Sequence, residues 1–192
     1  MATFEKYLNS EGDTENKERQ LKIINKIILS DESVQKIKNI NKEIKILAVA
    51  EIYCPDCRAV VSFLEKFAEL NDKIKIEYST REEAHELLLK ATGTARIPTL
   101  FADNGNKSEV FLTEFPKVVQ KHMSENPEQF DEIKYNFRTG KFNKEIEEEL
   151  DLQWQIYRLL KDCEKRDVDL ILSLRDEIKQ EGISNIGIKI EQ

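Results

Sequence analysis

Two cysteines separated by a proline and an aspartate, Cys54-Pro55-Asp56-Cys57, are the residues of this chain best suited to covalent chemistry. A dithiol of this spacing works when one sulfur is accessible and largely ionised and the other can displace a mixed disulfide before the substrate leaves. The local sequence supplies that asymmetry. After Cys57, the residues Val60, Phe63, Leu64 and Phe67 recur at helical spacing, so Cys54 falls near a helix N-cap and Cys57 about one turn inside. Unpaired amides and the positive end of the helix dipole lower the pKa of a sulfur at that position. Cys54 is therefore the expected nucleophile and Cys57 the resolving thiol. Pro55 suits the first helical position, where an amide would have no intrahelical partner. Asp56 suits the dipole but puts a negative charge near the thiolate, which leaves the redox potential open in both directions.

A strand has to deliver the chain to this helix. Ile44 to Ile52 reads IKILAVAEI, almost continuously apolar and β-branched, as in a parallel strand covered on both faces. Ile74, Ile76 and Tyr78 alternate with Lys75 and Glu77 as a second strand. Thr80 and Glu83 then form a capping-box pattern ahead of a helix carrying Ala84, Leu87, Leu88 and Ala91. The order strand, helix, strand, helix predicts parallel pairing with right-handed crossovers. Ile97 to Ala102 and the stretch around Val110 to Leu112 predict a closing hairpin about the turn residues Asp103-Asn104-Gly105. Helices are expected from Pro116 to about Ser124 and from Pro127 towards Arg138, ending near Gly140.

Before the first strand, periodic apolar residues predict helix over Thr14 to Ser30 and again over Asp31 to Asn41. Beyond Gly140, Leu152, Ile156, Leu159 and Cys163 share one stripe, and Leu170, Ile171, Leu174 and Ile178 another. The alternation of Ile186, Ile188 and Ile190 fits an edge strand or a loose tail equally.

A second motif makes the dithiol specific. Gly93-Thr94-Ala95-Arg96-Ile97-Pro98-Thr99 leads into a predicted strand just after the second strand-helix step, and with the Cys-Pro-Asp-Cys motif it resembles the thioredoxin superfamily. The resemblance covers roughly Ile44 to Met123 and is nearest to bacterial thioredoxin-like proteins with helical extensions on both sides of the core. A weaker likeness runs through Tyr135-Asn136-Phe137-Arg138-Thr139-Gly140-Lys141-Phe142. It implies an α/β, three-layer thioredoxin-like fold with a central mixed sheet of about four strands. The expected organisation is an N-terminal helical extension over 1–42, a core over 43–126 and a C-terminal helical extension over 127–192 packed on the core.

By the same resemblance Pro98 should be cis and the Ile97 backbone should pair with an extended substrate, with Tyr53 and Pro55 completing the substrate-binding surface. Tyr53 stands where thioredoxins usually carry Trp, Pro-Asp replaces Gly-Pro in the spacer, and Ala48 replaces their buried acid. Glu51 is a candidate proton acceptor for Cys57, although strand alternation places it on the face opposite Ala48.

Several other chemistries fit the chain poorly. With 30 Lys and Arg against 37 Asp and Glu, the net charge is −7 and no basic block is present to track a phosphate backbone. No secretory leader and no apolar stretch of spanning length is visible, so a cytoplasmic location and no membrane partner are expected. Zinc at Cys54 and Cys57 would need two more ligands, and His85, His122 and Cys163 are distant in sequence. No metal or organic cofactor is expected. Cys163 reads as a buried apolar residue, and Trp154, Tyr135, Phe137 and Phe142 as packing residues. Arg96 serves either the thiolate, a substrate carboxylate or solvent, and the acidic run Glu145 to Asp151 reads as a solvated face.

The expected function is thiol-disulfide oxidoreduction on a disulfide-containing protein or low-molecular-weight substrate, with a thiol reductase or small thiol as electron donor. The competing class is a non-catalytic module that recruits a protein partner and uses the cysteines as a sensor.

Overall fold

The computed structural model describes residues 2–10, 14–103 and 108–151. Its centre is a sheet of β1 (Ile44–Val49), β2 (Ile74–Ser79), β3 (Thr99–Asp103) and β4 (Ser108–Thr113), in the order β2-β1-β3-β4. β1 pairs parallel with β2 and antiparallel with β3, and β3 pairs antiparallel with β4 across a register shift at Leu100/Phe101. The near-continuous apolar character of β1 follows from this interior position. Ile44, Ile46 and Ala48 face one core with Phe63, Leu64 and Phe67, while Val49 joins Ala84, Leu88 and Phe101 on the other side.

Helix α4 (Pro55–Leu70) follows the dithiol and is buried around almost its whole circumference for its first turns, from Asp56 through Leu64. The sheet covers one face. The rest is covered by α2 (Thr14–Lys26), α3 (Asp31–Lys38) and α7 (Phe130–Thr139). Phe67 is fully buried here, and its truncation to Ala would cost about 3–5 kcal/mol through lost transfer and the cavity left behind.

The N-terminal segment is fastened to the sheet edge. The Ala2 main chain exchanges two hydrogen bonds with Tyr78, of 2.7 and 2.8 Å. α1 (Phe4–Leu8) then lays Tyr7 on the Tyr78 ring at 4.9 Å between centroids. The two predicted N-terminal helices are both present, but the first stops at Lys26, and Ser30 caps α3 through the Ser33 amide.

Three further expectations about the elements need correction. β3 begins at Thr99, not Ile97, since Pro98 has no amide to donate to a ladder. The capping box does form, each of the Thr80 and Glu83 amides being satisfied by the other's side chain at 3.1 Å, yet residues 81–84 make a turn and regular helix starts with α5 (His85–Thr92). α5 buries Leu88 but leaves Leu87 and Leu89 about two-fifths exposed, and ends on Gly93 in the left-handed region.

The third correction concerns the acidic run. α6 (Lys117–Glu125) leads through a 3-10 turn at Pro127–Gln129 into α7, and residues 143–151 are helical beyond it. The carboxylates of this last helix are not spread over solvent. Glu149 accepts the Lys117 and Val118 amides at 2.8 Å each, which caps α6. Glu147 accepts the Ser30 amide and hydroxyl at 2.8 and 2.7 Å at the start of α3. Asp151 accepts from the Ser33 hydroxyl, and Glu145 pairs with His122 at 3.0 Å. Helix N-termini carry unpaired amides and positive partial charge, so an acidic helix crossing two of them becomes a structural clamp. Glu148 is exposed as expected.

Among the aromatic residues read as packing, Phe137 is buried and Phe142 stacks on His122, but Tyr135 is 64% exposed. The predictions for Trp154, Cys163, the later helices and the tail to Gln192, and for the Asn104-Gly105 turn, fall outside the described residues.

Candidate functional site

The dithiol loop leaves the C-terminal end of β1. Cys54 is the N-cap of α4 with extended backbone angles, and Pro55 occupies the first helical position. The Cys54 sulfur accepts the Cys57 amide at 3.3 Å, the bond an N-capping side chain makes to the third helical residue. Both cysteines are free thiols and approach each other to 3.1 Å. Cys54 is partly exposed and Cys57 is fully buried.

These environments separate the two titrations. Hydrogen bonding from Cys57 brings the Cys54 thiol down to about 7, against burial and the Asp56 charge, which push it up. Burial holds the Cys57 thiol well above its ordinary value, and its hydrogen bond to Cys54 acts in the same direction. One sulfur is thus substantially thiolate at neutral pH and the other a protonated thiol, the arrangement required of an attacking and a resolving group.

Asp56 is buried, and Arg138 of α7 grips it across 82 residues of sequence, Nε at 2.7 Å from Oδ1 and Nη2 at 2.9 Å from Oδ2. Lys134, one turn earlier on α7, lies 3.9 Å from the same carboxylate. The Asp56 charge that sequence reasoning set against the thiolate is therefore offset by two cations from the C-terminal segment. Arg138 lies inside the aromatic, Arg and Gly pattern noted after the core, but nothing in the sequence pairs it with Asp56.

On the opposite side of the loop, β1 and β3 run antiparallel with Val49 opposite Thr99, which brings Pro98 to the end of β1 from which the chain enters the dithiol loop. The Ile97–Pro98 bond is cis. Ile97 and Cys54 both pack, partly buried, against the main core. Arg96 pairs with Glu114 at 2.7 Å and is 62% exposed, so its charge is spent on the neighbouring strand end.

Tyr53 is 43% exposed and lines a shallow groove of about 450 Å³ with Glu51, Arg81, Glu82 and His85. The Glu51 carboxylate accepts the Arg81 amide at 3.0 Å, and it is the backbone of Glu51 that acts on Cys57, lowering its thiol against the effect of burial.

Sequence reasoning missed the polar cluster behind the dithiol. Arg58, immediately after Cys57, is buried and donates to the Ile52 carbonyl at 2.6 Å and to Asn16 at 3.0 Å. Gln20 of α2, fully buried, accepts the Tyr7 hydroxyl at 3.0 Å and donates to Ser62 at 2.8 Å and to the Arg58 carbonyl at 3.2 Å. The one available signal was a charged residue directly ahead of the apolar run Ala59-Val60-Val61. No group of three or more His, Cys, Asp or Glu side chains able to hold a metal ion occurs among the described residues, and no helix there is long and apolar enough to cross a membrane.

A mixed sheet of this order, entered by a cis-proline strand and carrying an N-capping cysteine of a Cys-x-x-Cys pair, defines a thioredoxin-like α/β protein. The thioredoxin family profile matches residues 1–134, and the chain belongs to that family. A second profile, of a family of unknown function, DUF416, matches residues 113–189. In fold the chain is similar to a Pseudomonas aeruginosa protein of unknown function, with a TM-score of 0.66 at 14% identity over 80% of this chain and 92% of that one. It is also similar to an HIV epitope-scaffold, with a TM-score of 0.55 at 14% identity over 72% and 90%.

Among curated sequences, an uncharacterized Haemophilus influenzae protein is 65% identical over 52 residues, 27% of this chain and 26% of that protein. Uncharacterized YjaG proteins of Salmonella typhimurium and Escherichia coli are 52% and 50% identical over the same length and the same shares. The chain spans about a quarter of the length of these curated relatives.

Proposed function

We propose that the protein is a thiol-disulfide oxidoreductase that reduces or exchanges disulfides through Cys54 and Cys57. The observation that carries this reading is the asymmetry of the pair: a partly exposed Cys54 sulfur with its thiol near 7, and a buried Cys57 held protonated beside it. The Cys54 thiolate attacks one sulfur of a substrate disulfide, forming a mixed disulfide and releasing the other sulfur as a thiolate. Cys57 loses its proton and attacks the Cys54 sulfur. The Cys54–Cys57 disulfide forms and the second substrate thiolate leaves, two electrons having passed to the substrate. A small thiol or a thiol reductase returns them.

The substrate is a disulfide in an extended peptide or a low-molecular-weight disulfide, received between Tyr53 and Pro55 on one side and Ile97-Pro98 on the other. The reaction calls for no metal or organic cofactor. The N-terminal helices and α7 form walls around the dithiol helix as extensions of a core over 43–126, and a cytoplasmic, reducing compartment suits a dithiol kept reduced between turnovers.

Replacement of Cys57 by Ser tests the mechanism, since it should strand substrates as mixed disulfides on Cys54 that a reductant releases. A wild-type protein that neither cycles between dithiol and disulfide nor reduces a model disulfide would sink the proposal.

A further inference from the structure

Arg58 has no role in the mechanism above, yet its position is unusual for a guanidinium. It is 6% exposed and its Nε has no hydrogen-bond partner. Its Nη1 is satisfied by a neutral carbonyl and a neutral amide, Ile52 and Asn16, and no carboxylate pairs with it among the described residues. A buried cation without a counter-ion is costly, so such a group ordinarily finds an anion close by.

The backbone shows where that anion lies. Arg58 is four residues after Cys54, hence on the same face of α4 one turn on, and its side chain runs back towards the helix start to reach Ile52, two residues before Cys54. Burial opposes the protonation of Arg58 most strongly and the Arg19 charge adds to it, while charge on Tyr7, Cys54 and Cys57 favours it. Tyr7 is held neutral, its hydroxyl pushed well above the usual range by burial. Cys57 is held protonated in the same way, and the Cys54 sulfur remains.

We propose that Arg58 is the counter-ion of the Cys54 thiolate: buried one turn after Cys54 with no carboxylate of its own, it favours the ionised, reduced form of that sulfur and makes the Cys54–Cys57 disulfide easier to reduce. The inference rests on the dithiol reading and deepens it by assigning a direction to the couple. It acts through the sulfurs and touches no substrate, so Arg58 is a positioning residue. Other charges act on the same cluster: Asp56 on its own helix and Arg138 from α7 on Cys54, Lys134 from α7 on Asp56, Glu51 from the preceding loop on Tyr7, and Arg19 from α2 on Arg58. Asp56 is occupied by Arg138, and Arg19 by Glu15.

The redox balance is explicit. Protein disulfide and two glutathione thiols give protein dithiol and one glutathione disulfide, and any group that stabilises the Cys54 thiolate pulls this equilibrium to the right.

The test compares the full chain with Arg58→Met, which removes the charge at similar length, and Arg58→Lys, which keeps it. Thiolate absorbance against pH should show the Cys54 midpoint rising by about half a unit or more in the Met variant and much less in the Lys variant. From a starting value of about 7, a half-unit rise weakens reduction by glutathione about threefold at pH 8.5, where the wild-type thiolate is nearly complete. A merely structural role would alter stability and leave both readouts in place.

A wild-type protein that forms no intramolecular disulfide at any glutathione ratio would overturn the dithiol reading itself. If the wild type cycles but the Met variant keeps its midpoint within about 0.2 units, the counter-ion role alone fails. A Met variant that does not fold leaves a second readout on the wild type, the nitrogen resonance of Arg58 Nε followed through the titration. It should move with the Cys54 midpoint and lose that inflection in Cys54→Ser, and a resonance indifferent to Cys54 would refute the assignment.

Discussion

Replacing Arg138 with Met should both destabilise the fold and slow the thiol. Arg138 donates two charge-assisted hydrogen bonds, of 2.7 and 2.9 Å, to an Asp56 side chain only 10% exposed. Hydrogen bonds to charged groups contribute about 1.5–3 kcal/mol each, and stranding one member of a buried pair costs about 3–5 kcal/mol. Two features reduce that figure. Arg138 is one-third exposed, so water already screens it, and Lys134 at 3.9 Å can take over part of the charge.

A net loss of about 2–3 kcal/mol follows, which for a chain of this length is a fall in Tm of about 5–10 °C. Urea unfolding of Arg138→Met, Asp56→Asn and the double variant isolates the pair, with an expected coupling of about 2 kcal/mol. The thiol supplies a second readout of opposite sign in the two single variants. Loss of Arg138 exposes Cys54 to an unbalanced Asp56, so alkylation at pH 7 slows; loss of the Asp56 charge removes a cause that raises the Cys54 thiol, so alkylation quickens. A coupling energy below about 0.5 kcal/mol, with the two alkylation rates unchanged, would refute the clamp.

Iodoacetamide alkylation of the reduced wild type, read at each cysteine by peptide mass, should rise at Cys54 through a midpoint near pH 7 while Cys57 stays unreacted over that range, because burial keeps Cys57 protonated; comparable midpoints at Cys54 and Cys57 would contradict the assigned roles. Since the folded Cys54 thiol lies below its unfolded value, the reduced protein should gain stability relative to Cys54→Ser as pH rises from about 7 to 9, and lose that advantage as pH falls through 7. Asp151 behaves in the reverse sense: burial raises it to about 6, so it lowers stability as pH climbs from about 4 to 6, and Asp151→Asn should be the more stable protein at pH 8 with the difference closing near pH 4 in denaturant titrations. Glu149→Ala should cost about 1–2 kcal/mol through the uncapped Lys117 and Val118 amides, read as a shift in unfolding midpoint without a change in m-value.

The dithiol was legible from short-range pattern. An N-capping Cys54, Pro55 in the first turn and a buried Cys57 follow from a strand-to-helix junction and the helical spacing of Val60, Phe63, Leu64 and Phe67, which are local constraints. The sheet was legible for the same reason. β1 advertised its interior position by being apolar on both faces, and β2 its half-covered one by alternation. The limits were local too: the capping box at Thr80 and Glu83 names a turn correctly but cannot say that regular helix waits until His85.

What surrounds the two sulfurs was decided only by packing. Asp56 meets Arg138 82 residues away, Glu147 and Glu149 turn from an apparent solvated face into caps for α3 and α6, and Tyr7, Gln20 and Arg58 converge from three helices behind Cys57. Charge and hydrogen-bonding partners carry no periodicity, so no window of sequence pairs them; the same carboxylate is a solvated surface group or a helix cap according to which amide the fold brings within 3 Å. The sequence on its own determined that Cys54 caps a helix and Cys57 lies one turn inside it, because that asymmetry is built into one helix start. Which charges tune the pair had to await the tertiary structure, because an electrostatic field is set by distance through space and not by separation along the chain.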